Sequence, residues 1–166
     1  MTGKMTKVTD VIFPETISLD EFNPSSKSDL FDHMSSMFLR AHVIKSKLEF
    51  IESLYEREAM GPTYMGEFIA IPHGKSSTVT HSAIAFCRTK TPFYYESEDQ
   101  NDGGLVRLVF MLAVPASLPS NEYIGLLARL ARLLVYPKFL TSLRRIKSYE
   151  GLIRSISRHE PLLDQD

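Results

Sequence analysis

Leu108-Val109-Phe110-Met111-Leu112-Ala113-Val114 is the longest unbroken apolar run in the chain, and it narrows the possible folds more than any other feature. A helix that crosses a bilayer needs roughly 20 such residues; this run is about a third of that length and does not span a membrane. It reads instead as the heart of a strand from Leu105 to Val114, covered on both faces and central to its sheet. Ala83-Ile84-Ala85-Phe86-Cys87 has the same character, and Phe68-Ile69-Ala70-Ile71, closed by Pro72, is a shorter β-prone run. Of the 166 residues 43% are hydrophobic and 23% charged, enough apolar side chain to cover such strands in one packed core.

The covering elements show helical spacing. Asn23-Pro24-Ser25-Ser26 is a turn and cap signal ahead of Leu30, Met34, Met37, Phe38 and Ala41. Ser46 can cap a second helix with Phe50, Ile51, Leu54 and Tyr55 on one stripe and Glu52, Glu56, Arg57 and Glu58 elsewhere, stopped by Gly61-Pro62. Ser120 can cap a third, with Tyr123, Leu127, Leu130 and Leu134 on one face and Arg129 and Arg132 pointing away, until Tyr136-Pro137 breaks it. Two short helical patterns follow, Phe139 to Ile146 and Glu150 to Ile156. Thr16-Ile17-Ser18-Leu19 alternates as a short strand, and Glu96 to Gly104 reads as an acidic, exposed connection. Helices before, between and after buried strands fit an α/β sandwich with a mixed sheet; the pattern leaves strand order open. Residues 1–15 read as a flexible extension, 16–158 as the folded domain and 159–166 as a loose acidic tail.

Charge and cysteine content exclude several function classes. Lys and Arg number 19 against 20 Asp and Glu, a formal net charge of -1, which argues against a nucleic-acid partner. Cys87 is the single cysteine, so no intramolecular disulfide or Cys-based zinc cluster can form, and it is expected as an inert core residue. Met1 to Phe13 has neither the apolar core of a signal peptide nor the make-up of an Arg-rich transit helix, which makes the cytoplasm the default compartment. His33 and His42 do not share a metal-ligand face, His159 falls in the tail, and His81 follows a Ser/Thr-rich loop as a surface histidine. No phosphate-cradling glycine loop of the G-x-x-x-x-G-K-[ST] or G-x-G-x-x-G kind is present.

Chemistry concentrates at His73. Pro72 ends the strand and Gly74 leaves the backbone free to turn, so His73 is expected at the sheet edge, within reach of solvent and a partner. An imidazole with a pKa near 6.5 is largely an unprotonated nucleophile at neutral pH, and a hydrogen bond at one ring nitrogen decides which nitrogen reacts. Spacing alone leaves catalysis, loop packing and capping all open.

The order of residues around it says more. A helix with Leu54-x-x-Arg57-Glu58, then Gly61-Pro62-Thr63-Tyr64-x-Gly66-Glu67, then Ile69-Ala70-Ile71-Pro72-His73-Gly74 resembles the signature of the enzyme IIA domain of the bacterial sugar phosphotransferase system (PTS), mannitol/fructose class. The Pro-Thr-Tyr-x-Gly-Glu form is closer to mannitol-type members than to fructose-type or nitrogen-regulatory ones, and the resemblance runs from about Thr16 to Ile156. It implies a single α/β domain in which a mixed sheet is flanked by helices on both faces, a three-layer sandwich. It also implies that His73 takes a phosphoryl group from the phosphohistidine of HPr as tele-phosphohistidine and passes it to a IIB component, with Arg57 beside it. Donor and acceptor are both side chains, so neither cofactor nor metal is implied. Thr63 and Glu67 would position His73 or its ring hydrogen bond, and Lys75 would draw the phosphoryl group electrostatically. A chain with only the IIA part implies separate IIB and IIC polypeptides.

One position departs from the pattern. Mannitol-type members carry a second histidine in an N-E-H segment at the start of the helix after the central strand, where this chain has Asn121-Glu122-Tyr123. Tyr123 can donate a hydrogen bond through its phenol but cannot become a cation at neutral pH; packing at the helix start is the competing reading. The expectation is therefore a phosphocarrier of sugar uptake. The alternatives are a regulatory module whose His73 phosphorylation state signals to a partner protein, and a structural domain in which His73 is a relic.

Overall fold

A computed structural model of the chain describes residues 6–97 and 101–165. These fall into two compact units, one spanning Phe13–Ser117 and the other combining the segment up to Ile12 with the chain from Leu118 onward. Among the described residues no helix is long and apolar enough to cross a membrane. Residues 98–100, part of the acidic connection expected over Glu96–Gly104, lie outside the described residues.

The first unit is built on a six-stranded mixed sheet: β1 (Ile12–Leu19), β2 (Tyr64–Gly66), β3 (Ile69–Ala70), β4 (His73–Ser76), β5 (Ala83–Tyr95) and β6 (Gly104–Pro115). The order is β1-β5-β6-β3-β2, with β4 also paired to β6. The long apolar run therefore occupies the middle of the sheet, as its composition requires. β5 and β6 run antiparallel, whereas β3 and β4 both run parallel to β6. Strand β5 extends well past the expected Cys87. Its continuation, Arg88-Thr89-Lys90-Thr91-Pro92, is polar and passes through a register irregularity, while Arg88 is neutralised by Asp20 at 2.7 Å.

Helices α1 (Lys27–Arg40) and α2 (Lys47–Glu58) begin on serine caps, with Ser26 accepting from the Asp29 N–H and Ser46 from the Glu49 N–H. They lay Leu30, Phe31, Met34, Phe38, Phe50 and Leu54 against Ala70, Ala85, Cys87, Val109 and Met111 of one sheet face. Cys87 is the core residue expected, its thiol pushed up to about 12 by burial. Ile84, Phe86, Phe110 and Leu112 of the other face are buried too.

The second unit contains α3 (Ser120–Leu133), α4 (Pro137–Leu143) and α5 (Tyr149–His159), with 3-10 helices at Val8–Val11 and Glu160–Asp164. Several expectations change here. Ser120 is the first helical residue and not the cap; Pro119 precedes it without a side-chain bond. Arg129 does not point away but is buried, paired with Glu160 at 3.1 Å and Asp164 at 2.9 Å. Glu160 also accepts the N–H of Val8. The segments read as a flexible start and a loose acidic tail are thus regular at 8–15 and 160–164, because the tail carboxylates are counter-charges to a buried arginine. β1 begins at Ile12, not Thr16, and His159 packs against Phe139 instead of trailing in solvent.

Candidate functional site

Strands β3 and β4 are one line of chain in a single register along β6, with Ile69 opposite Leu108 and His73 opposite Leu112. Pro72 interrupts it without breaking alignment, its carbonyl accepting from the Leu112 N–H at 3.0 Å. A proline lacks the N–H of a ladder residue and is tolerated where that donor is not called for. His73 therefore begins a strand instead of hanging off the end of one, and it is only 3% exposed. The expectation of a solvent-reaching side chain is corrected by that burial.

Gly74 also has a different role from the sharp turn expected of it. Its φ is not in the left-handed region. A Cβ there would collide with Ser53 Oγ and press on the Phe50 ring at 3.2 Å, so glycine is what lets α2 lie directly on β4. The other end of α2 is tied as well, since the Ser46 N–H donates to Thr78 Oγ1 at 2.7 Å. This close packing sets the last turn of α2 beside His73.

The residue delivered by that turn is Arg57. Its Nε–H donates to His73 Nε2 at 2.9 Å, and its Nη1 donates to the Gly61 carbonyl at 2.9 Å. His73 Nδ1 lies 2.9 Å from the Ile71 carbonyl oxygen. A carbonyl can only accept and a guanidinium can only donate, so Nδ1 carries the proton and Nε2 keeps its lone pair. Burial pushes His73 below the ordinary imidazole range; the Ile71 hydrogen bond works against this, and the Arg57 charge adds to the depression. The product is a neutral, tautomerically fixed imidazole whose unprotonated Nε2 accepts from a cation.

Behind this pair lies a buried polar cluster that sequence reasoning missed in part. Lys27 Nζ pairs with Glu58 Oε1 at 3.2 Å, and Thr63 Oγ1 donates to Glu58 Oε2 at 2.6 Å. Because the single hydroxyl proton of Thr63 goes to Glu58, Tyr95 OH must donate to Thr63 Oγ1, at 2.7 Å. Burial and the nearby Glu58 raise the Tyr95 phenol well above its ordinary value. Glu58 falls off the apolar stripe that the spacing of α2 defines, yet it lies a helical turn beyond Leu54, and that spacing is the available signal.

The remaining expected residues divide. Thr63 is buried in the cluster just described. Lys75 follows on β4, half-buried, and strand alternation puts it on the same face as His73. Glu67 is exposed at φ 53° in the turn joining β2 to β3, next to Phe68 at φ 64°; the ring bonds of His73 described above go to Arg57 and Ile71 instead. Tyr123 is half-buried in the first turn of α3, in the second unit. His81 is exposed and bonded to Thr80.

Residues 10–159 match the family described as phosphoenolpyruvate-dependent sugar phosphotransferase system, EIIA 2. The fructose-specific EIIABC component of Bacillus subtilis is 32% identical over 93% of this chain, which spans 24% of that protein's length. Among solved structures, the nitrogen regulatory protein IIA-Ntr of Neisseria meningitidis superposes with a TM-score of 0.78 at 28% identity, covering 90% of this chain and 98% of its own. Enzyme IIA for mannitol, in complex with phosphorylated enzyme IIB from Escherichia coli, superposes at 0.70 with 21% identity, covering 89% and 99%. The α/β fold with an open mixed sheet is common to these structures. By its matched length and its relatives, the chain belongs to the EIIA family of the sugar phosphotransferase system, fructose/mannitol class.

Proposed function

We propose that the chain is a phosphocarrier in which Nε2 of His73 accepts a phosphoryl group from the phosphohistidine of an HPr-type donor and hands it to a IIB component. The observation that carries this reading is the ring itself: Nδ1–H is held by the Ile71 carbonyl while Nε2 faces Arg57. The Nε2 lone pair attacks phosphorus, the bond to the donor's ring nitrogen breaks, and its electron pair stays on the donor. The proton on Nδ1 does not move, and its bond to Ile71 steadies the positive charge the ring gains. A loose phosphoryl-transfer transition state asks mainly for in-line positioning and for cationic donors at the equatorial oxygens. Arg57 supplies them by turning from Nε2 onto the phosphoryl group while Nη1 stays on Gly61. Lys75 adds charge on the same strand face. Transfer to IIB reverses the sequence, and no metal or nucleotide enters it.

His73 is buried, so a docking protein reaches Nε2 only as Arg57 swings aside. Met60, Met65 and Phe68, 82%, 41% and 46% exposed, offer apolar surface in the adjoining stretch for a partner that must bind and leave. The E. coli mannitol IIA, found with phosphorylated IIB, supports the choice of acceptor, and such a relay belongs in the cytoplasm. Incubation with phosphoenolpyruvate, enzyme I and HPr should add one acid-labile, base-stable phosphate by intact mass, absent from His73→Ala. A wild-type protein that gains none contradicts the proposal. Likeness to a nitrogen regulatory IIA, with Tyr123 at the position of the second histidine, favours one other reading: a signalling module that is phosphorylated but passes nothing to IIB.

A further inference from the structure

Thr63 is placed to act on both partners of the His73–Arg57 pair at once. Its side chain donates to Glu58, the residue after Arg57 in the last turn of α2. Its carbonyl accepts the N–H of Ile71 at 2.9 Å, the residue whose own carbonyl holds Nδ1 of His73. One route from Thr63 thus runs to the guanidinium and the other to the ring. The far ends are braced: Lys27 fixes the second oxygen of Glu58 and also donates to the Glu96 carbonyl at 2.9 Å, and the Tyr95 hydroxyl donates to the Thr63 hydroxyl oxygen. Lys27, Glu58, Thr63 and Tyr95 are all at most 3% exposed, so none can exchange its partner for water without local opening. Fully satisfied buried networks of this kind hold one geometry, whereas a half-satisfied one releases it.

We infer that Thr63 is a positioning residue that couples Arg57 to His73, fixing the ring tautomer and the guanidinium together, with Glu58, Lys27 and Tyr95 as its supports. The inference deepens the phosphocarrier reading and rests on it for its kinetic consequence, but the coupling itself is a property of the unphosphorylated protein. Thr63 touches no reacting atom. Its effect passes wholly through Glu58 and the Ile71 peptide.

The test is Thr63→Val, which keeps the shape and removes the hydroxyl, alongside Thr63→Ser, which restores it. ¹⁵N NMR of the His73 ring reads tautomer and titration directly. Wild type should show protonated Nδ1 and unprotonated Nε2. In T63V the tautomers should mix, and the ring pKa should rise as Arg57 loosens. Phosphoryl acceptance from phospho-HPr should slow ~10-fold, as expected for a small misplacement of reacting groups. T63S should return all three towards wild type. If T63V proves too unstable to measure, Thr63→Cys, a weaker donor of similar size, should give intermediate values. A folded T63V or T63C with the wild-type tautomer, titration and rate, even at lower melting temperature, would overturn the coupling. If the wild-type protein accepts no phosphoryl group, the function fails while the ring spectra still decide the coupling.

Discussion

Arg57 Nε and His73 Nε2 lie 2.9 Å apart, so the nitrogen proposed to carry phosphate is covered, at rest, by the group proposed to stabilise it. That relationship makes the arginine both a cover and a clamp. Arg57→Ala should lower the rate of phosphoryl acceptance by about 10²-fold, the scale of losing one charged donor at a developing charge. Arg57→Lys should recover only part, because lysine lacks the fork that binds His73 and Gly61 together. Rapid-quench measurement with phospho-HPr checks both. In Arg57→Ala the His73 titration should move upward, since no cationic charge then opposes protonation.

The depressed His73 value fixes a pH dependence. Above about 6.5 the ring is neutral in both folded and unfolded chains, and its contribution to stability is fully present. As pH falls from there towards the folded value, the unfolded ring binds a proton that the folded ring refuses, and stability is lost. His33, also lowered by burial, acts in the same direction. Urea unfolding at pH 7.5 and 5.5 should therefore show a smaller loss in His73→Asn than in wild type. Phosphoryl acceptance should stay level through pH 6.5 and fall only below it.

Gly74 tests how α2 delivers Arg57. Gly74→Ala sets a Cβ against Ser53 Oγ and the Phe50 ring and should cost about 1–3 kcal/mol as overpacking. The Arg57–His73 contact should loosen with it. Ser53→Ala in the same chain removes the closest clashing atom and should restore part of both, measured by thermal unfolding and phosphoryl acceptance.

Much of this was legible in the residues. The apolar run at Leu108–Val114 located the central strand, Ser26 and Ser46 located two helix starts, and the ordered motif put Arg57 beside His73, the contact the fold makes. Three features were not legible, each for a physical reason. Burial of His73 depends on β4 joining β6 in the register of β3, a pairing between residues distant in sequence. The role of Gly74 is set by what lies opposite it, and glycine at a turn and glycine under a helix look alike in a sequence. Glu58 reads as lying off the apolar stripe, Arg129 as pointing away and Glu160 as part of a loose tail, because the Lys27–Glu58 and Arg129–Glu160 partners lie 31 residues apart in each pair, and only the folded chain shows that they neutralise each other.

The Arg129–Glu160 pair gives a prediction independent of the site. Glu160 answers both a buried guanidinium at 3.1 Å and the Val8 N–H at 2.8 Å. Glu160→Ala leaves both without that acceptor and should cost about 3 kcal/mol, as for a broken buried pair. Asp164→Ala, which removes an exposed partner of the same arginine, should cost less. Comparing their denaturation midpoints separates the two contributions.

The central claim is that His73 carries phosphate on Nε2, and ¹⁵N–³¹P correlation NMR of ring-labelled protein after phosphorylation by phospho-HPr tests it most directly. The account predicts phosphorus coupled to Nε2 of His73, with Nδ1 still protonated on the Ile71 carbonyl. Phosphorus on Nδ1, or on any other residue, would contradict it.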